Sequence, residues 1–169
     1  MDDVRRIVFL DIDGVLNNST WSRPRGAVNV DPRCVAVLNG LVRPGVEWVL
    51  SSTWRGDGSI QARNAVEIEL RRLGWSGRFT ASTPCLRPTT SSIYTDYSRG
   101  AQATRGDEIS AWLAAEGHEK ASLGSGVRLA ILDDDSDVGN LRPFLVEVDE
   151  RVGLTSEDVG RALSLLGLE

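Results

Sequence analysis

Four acidic residues stand where apolar runs give out. Asp11 and Asp13 follow Ile7-Val8-Phe9-Leu10, and Asp133 and Asp134 follow Val127-Arg128-Leu129-Ala130-Ile131-Leu132. A third run, Val46-Glu47-Trp48-Val49-Leu50, ends in Ser51 and Ser52. Unpaired carboxylates at the end of a buried strand repel one another and lose hydration. A divalent cation removes that cost, and an all-oxygen donor set of Asp11, Asp13, Asp133 and Asp134 suits Mg2+ rather than Zn2+. The chemistry open to such a group is cleavage of a phosphate ester, which needs an attacking oxygen, a proton for the departing alkoxide and positive charge on the phosphoryl oxygens. Asp11 is placed to attack and to carry an aspartyl-phosphate. Asp13, two residues on, could protonate the leaving group and later deprotonate water. Gly14 permits the sharp turn that follows.

These residues converge only if the elements before them form one parallel sheet. The strong runs are short and almost continuously apolar, as in strands covered on both faces. A weaker run, Arg78 to Ala81, and a last one, Phe144 to Val148, complete the set. Helix-period segments lie between them, giving an α/β domain of three layers around a parallel sheet. Asp31 reads as an N-cap, with Pro32 at the first helical position, Val30 and Val35 as a hydrophobic staple and Val35, Leu38 and Val42 as the buried stripe. A second helix is expected from about Ser59 to Leu73, buried through Val66, Leu70 and Leu73. Thr104-x-x-Asp107 and Thr155-x-x-Asp158 resemble capping boxes ahead of two more. Asn17 to Asn29 and Ser82 to Ala103 read as loops, where substrate contacts often lie. In such a sheet ligands bind beyond the carboxyl ends of the strands, where all the acids and serines above are found.

Composition narrows the alternatives. A chain of 169 residues fits one domain, spanning 1–169, and its net charge of -5 argues against a general nucleic-acid coat protein. His118 is the only histidine, so a multi-histidine zinc site is excluded and a Ser-His-Asp triad would hang on that one residue. Cys34 and Cys85 read as free buried thiols. No apolar run is long enough to span a membrane and the first residues are too polar for a secretory signal, so a cytoplasmic protein is expected. Lys120 is the only lysine among 19 basic residues, which limits who can serve as an active-site cation.

Asp11-Ile12-Asp13-Gly14-Val15-Leu16 resembles the first motif of the haloacid dehalogenase (HAD) superfamily, whose phosphatases carry D-x-D-G after the first strand. Ser51 stands where the second motif has the Ser or Thr that binds a phosphoryl oxygen, and Asp133-Asp134, with Asp137 close by, looks like the acidic pair that holds magnesium. The resemblance covers nearly the whole chain and implies a Rossmann-like sheet of the HAD type. Ser51-Ser52-Thr53-Trp54-Arg55, Arg105-Gly106-Asp107-Glu108-Ile109 and Trp112-Leu113 are similar to small bacterial HAD domains, some fused to RNA-repair enzymes. The superfamily's third motif supplies a Lys, less often an Arg, beside the nucleophile. Arg105 fits by position and Lys120 by residue type; Arg105 is preferred. Val15 replaces a Thr that many relatives have. Retention of Asp13 implies phosphate-ester hydrolysis rather than carbon–halogen chemistry.

Neither Asn17–Gly45 nor Arg55–Arg105 has room for a full cap domain, so a minimal cap and an open site are expected. A phosphorylated small molecule or a nucleic-acid end would then be the substrate. Ser52, Trp54 and Arg55 are its expected contacts, with Trp21, Arg23 and Arg25 nearby; Trp21 and Trp54 could equally pack loops onto the body. Ser52 could take the place of Ser51 if the strand ends one residue later. A phosphoacceptor receiver domain would need its acidic pair early and its acceptor Asp mid-chain, which is the wrong order. A non-catalytic module that only binds phosphorylated ligands or a protein partner is the second class, against which both Asp11 and Asp13 are retained. Oligomeric state is not legible.

Overall fold

The computed structural model describes residues 4–86, 103–118 and 126–168. Five strands, β1 (Arg5–Leu10), β2 (Val46–Leu50), β3 (Ala81–Ser82), β4 (Val127–Asp133) and β5 (Leu145–Glu147), form one sheet in the order β3-β2-β1-β4-β5. Every pairing is parallel. Successive strands run outward from β1 to β3, and the chain then crosses to the other side of β1 to lay down β4. The carboxyl ends of β1 and β4 therefore flank the point where the strand order reverses, the crevice in which open α/β sheets bind ligands.

Strand alternation sorts the core into two layers. Val8 and Leu10 face the cluster built with Val35 and Leu38 of α1 (Pro32–Leu38), Val66 and Leu70 of α2 (Ile60–Arg72), and Val159, Ala162 and Leu166 of α4 (Ser156–Leu166). Ile7 and Phe9 face the opposite layer, with Val49, Leu129, Ile131 and Ile109, Trp112 and Leu113 of α3 (Arg105–Ala115). Trp112 packs edge-on against Phe9 at 5.4 Å, and Trp75 packs the same way against Trp48 at 5.5 Å.

The local signals produced the expected starts and stops. Asp31 caps α1 by accepting from the Arg33 N–H, with Pro32 at its first position. Thr104 with Asp107, and Thr155 with Asp158, form full capping boxes on α3 and α4. Val42 lies just past a 3-10 turn, Asn39–Leu41, and is only half-buried. The run from Arg78 contributes a strand only at Ala81–Ser82, because Phe79 turns into the aromatic cluster beside Trp75, at 4.8 Å, instead of joining the ladder. Cys34 is buried as expected, but Cys85 is exposed, correcting the reading of both thiols as core. No helix among the described residues is long and apolar enough to cross a membrane. Most of the Ser82–Ala103 loop and Lys120 lie outside the described residues.

Candidate active site

The alternation that puts Ile7 and Phe9 on the α3 face carries Asp11 to that face too. Asp133 continues Leu129 and Ile131 in the same way, and Ser51 continues Val49. The sheet's hydrogen bonding runs on past the strand ends to hold them there: the Asp11 N–H donates to the Leu132 carbonyl at 3.0 Å, and the Ser51 N–H to the Leu10 carbonyl at 2.8 Å. Oxygens of Asp11, Asp133 and Asp134 lie within 4.8 Å of one another. Asp11 and Asp133 are buried and Asp134 half-buried.

Arg105, at the first position of α3, reaches into this group from the helix layer. Its guanidinium lies 3.1 Å from Asp133 Oδ2, 3.5 Å from Asp11 Oδ2 and 3.4 Å from Glu108 Oε2. Of the two cations considered for the site, Arg105 lies against Asp11 and Asp133, and Lys120 lies outside the described residues. Burial pulls the Arg105 guanidinium toward neutrality, but the charges of Asp11, Asp133 and Glu108 outweigh it and hold the group firmly protonated. Asp137 accepts the Arg105 N–H on its Oδ2 at 3.2 Å and the Gly106 N–H on its carbonyl at 3.1 Å, so it supports the start of α3 and is not one of the three clustered acids. Gly106 is required for this close approach, since a Cβ there would overlap the Val138 carbonyl.

The carboxylates resist ionisation. Burial raises Asp11, with Asp134 adding to it, against the opposing pull of Arg105, the Ser52 side chain and the Ile12 N–H. Burial and the Asp11 charge push Asp133 up to about 7. Burial, then the neighbouring charges of Glu150, Asp135 and Asp13, raises Asp134. Counting the charges explains why. Asp11, Asp133, Asp134 and the buried Glu108 face two buried guanidiniums, Arg55 and Arg105, leaving an excess of two negative charges. One divalent cation carries the opposite charge, and its hard-oxygen preference matches the donors.

Around this centre the expected contacts divide. The Ser51 hydroxyl is 1 % exposed and has no hydrogen-bond partner, a polar atom left open on the acidic face. Ser52 is buried; its Oγ accepts the Trp54 N–H at 3.4 Å, starting the 3-10 turn Thr53–Arg55. Asp13 is exposed and stands outside the acidic trio. Its Oδ1 accepts from the Asn17 amide at 2.8 Å and its Oδ2 from the Trp54 indole N–H at 2.9 Å. Of the four acids expected to hold the metal, Asp13 is the one whose side chain does not join the trio, each of its oxygens meeting another donor. Arg55 departs from the expected substrate contact. Rather than facing substrate, its guanidinium is buried against Glu108 Oε1 at 2.6 Å and donates to the Ser52 carbonyl at 2.6 Å. His118 accepts from Arg5 at 2.7 Å, at the opposite end of β1 from Asp11.

Two residues that hold the site had no assigned role in the sequence. Glu108 is fully buried and links Arg55, Arg105 and the Leu86 N–H. Its signal was legible, a carboxylate on the buried stripe of α3 three residues after Arg105 and one before Ile109. Asn17 accepts the Gly14 N–H at 2.8 Å while donating to Asp13. Gly14 itself has φ +73°, and a Cβ there would overlap the Asp134 carboxyl. Gly14→Ala is therefore expected to cost about 1–2 kcal/mol from the left-handed backbone alone and to push Asp134 out of the trio. Urea unfolding measures the first effect, and weakened divalent-cation binding the second.

A family model described as the HAD domain in Swiss Army Knife RNA repair proteins matches residues 7–159. The chain belongs to this HAD family. Comparison with curated proteins gives no match. The HAD match runs from within β1 into α4 and so includes β2 to β5, the acids and serines of the site, and Arg55 and Arg105. Val15, two residues after Asp13, is fully buried in the core.

Proposed function

We propose that this HAD domain is a magnesium-dependent phosphomonoester hydrolase acting through an aspartyl-phosphate on Asp11. The observation that carries the reading is the trio of buried Asp11 and Asp133 with half-buried Asp134, with Arg105 against it and the unpartnered Ser51 hydroxyl beside it at the strand ends. Asp11 attacks phosphorus, and the ester oxygen leaves with a proton from Asp13. Water then attacks the phosphoryl group, returning a proton to Asp13 and freeing Asp11. Arg105 and Ser51 hold the phosphoryl oxygens as charge builds on them. Asp11, Asp133 and Asp134 would hold magnesium, which would supply the positive charge that lets a dianionic phosphate approach a carboxylate.

The substrate we propose is a nucleotide or polynucleotide phosphate end. The groove beside Asp134 is lined by Asp135, Glu147, Asp149 and Glu150 and would repel a phosphodiester chain. The opposite approach passes Trp54 and the loop from Asn17 to Asn29, whose two ends are tied near Asp13 through the Asn17 amide. Arg23 and Arg25 are exposed on that loop, and the description of the matching family names RNA repair proteins. Turnover of p-nitrophenyl phosphate, sugar phosphates and 3′- or 5′-phosphorylated oligonucleotides, with and without Mg2+, tests both parts. Preference for oligonucleotide ends is expected. Exclusive use of a sugar phosphate would refute the substrate class, and Mg2+-independent binding without turnover would indicate a non-catalytic module.

The raised Asp133 also fixes a pH dependence. The folded, metal-free protein keeps a proton on Asp133 up to about pH 7, while the unfolded chain releases it near the ordinary carboxylate value of 3.8. Metal-free stability from this group is thus full below that value and declines as pH rises toward 7. Magnesium needs the ionised form, so its stabilising effect should grow over the same interval. Melting temperatures with and without Mg2+ at pH 5, 6, 7 and 8 are expected to diverge progressively up to about pH 7.

A further inference from the structure

Asp13 is held by both of its carboxyl oxygens, and the two holders differ in kind. Asn17 is buried, and its amide is fully used: Nδ2 donates to Asp13 Oδ1 and to the Asn29 carbonyl, and Oδ1 accepts the Gly14 N–H. It cannot turn without breaking the loop that follows β1. Trp54 is half-exposed, and its indole N–H meets Asp13 Oδ2 at 2.9 Å. The backbone under Trp54 is rigid, because Ser52 caps its turn and the next residue, Arg55, is locked to Glu108. The indole edge is thereby aimed at one oxygen, Asp13 Oδ2.

We propose that Trp54 and Asn17 are positioning residues for Asp13, and that Oδ2, the oxygen under the indole, is the atom that exchanges the proton. This rests on the hydrolase reading above. An indole N–H only donates, so the Trp54 contact fixes the direction of Oδ2 while Asn17 holds Oδ1. When the Asp11–phosphorus bond forms and the bond from phosphorus to the ester oxygen breaks, the proton on Oδ2 passes to that oxygen, which departs as an alcohol. The carboxylate left behind accepts the indole N–H. In the second half, water adds to phosphorus, its proton returns to Oδ2, the Asp11–phosphate bond breaks and inorganic phosphate leaves. Asn17 stays on Oδ1 throughout and serves as the pivot.

Trp54→Phe keeps an aromatic face for stacking and removes the N–H together with the five-membered ring that carries it. The comparison is made with phenyl phosphate and p-nitrophenyl phosphate, esters of similar shape whose leaving groups differ in their need for a proton. In Mg2+ at neutral pH, kcat for phenyl phosphate is expected to fall about 10-fold in Trp54→Phe, with p-nitrophenyl phosphate much less affected and KM little changed for either. Asn17→Ala should show the same bias. A second readout does not depend on turnover. The Trp54 indole resonance in the 1H–15N spectrum of the metal-free full chain, assigned by its loss in Trp54→Phe, should move and exchange faster with solvent in Asp13→Ala.

An equal loss on both esters, or a rise in KM alone, in a wild-type background that is active and dead in Asp11→Asn would overturn the positioning role while leaving the hydrolase reading intact. An indole resonance indifferent to Asp13→Ala would overturn the contact itself. If the wild-type protein turns over neither these esters nor 3′- or 5′-phosphorylated oligonucleotides, the hydrolase reading fails and takes the proton-exchange role of Oδ2 with it.

Discussion

Asp11→Asn is expected to lower Mg2+-dependent turnover of any phosphate ester by at least about 10³-fold without loss of folded protein. The amide oxygen can still accept the Ile12 N–H that Asp11 Oδ1 accepts at 2.8 Å, so the local backbone has no reason to move. What disappears is the nucleophile. The metal-free fold should be no less stable, and melting should show a gain rather than a loss, because burial and the neighbouring Asp134 both disfavour the native charge. A residue that costs stability yet stands at the meeting point of strands and helix marks a functional site more firmly than one that merely packs. A marked fall in melting temperature would show that Asp11 chiefly holds the fold.

Glu108→Ala has the opposite profile. Glu108 is 0 % exposed and carries Arg55 on one oxygen at 2.6 Å and Arg105 on the other at 3.4 Å. Removing it leaves two guanidiniums facing each other in a buried space and strips the Leu86 N–H of its acceptor. Breaking a buried pair in this way costs about 3–5 kcal/mol, read as a shift of the urea midpoint. Glu108→Gln keeps two acceptor lone pairs and should lose less, though Arg55 loses its charged partner. Turnover should fall in both, because Arg105 loses one of the three carboxylates that fix its guanidinium. A loss below about 1 kcal/mol would place Glu108 among ordinary surface pairs.

The two proteins these variants describe, one losing chemistry and the other losing structure, also separate what the sequence makes legible from what it hides. Asp11, Ser51 and Asp133 could be found because a buried parallel strand writes itself as a short apolar run, and its carboxyl end is where that run stops. Arg105 could be found because a capping box at Thr104 places it at the first turn of a helix. Each of these signals is local. Arg55 was misplaced because its partner lies 53 residues away, and nothing near it announces burial. The side-chain direction of Asp13 was hidden for the same reason: Trp54, which turns it from the trio, lies 41 residues on. The short β3 was overextended because its apolar character serves the Trp48–Trp75–Phe79 cluster rather than a ladder.

The most direct test of catalysis at Asp11 is to quench turnover of a 32P-labelled phosphate ester in acid, reduce the protein with borohydride and map the modified residue. Label held by the wild-type chain after the acid quench and released as phosphate when borohydride converts Asp11 to homoserine, with no trapping in Asp11→Asn, is the expected result. Sustained turnover with no covalent phosphate at position 11, or turnover that survives Asp11→Asn, would contradict it.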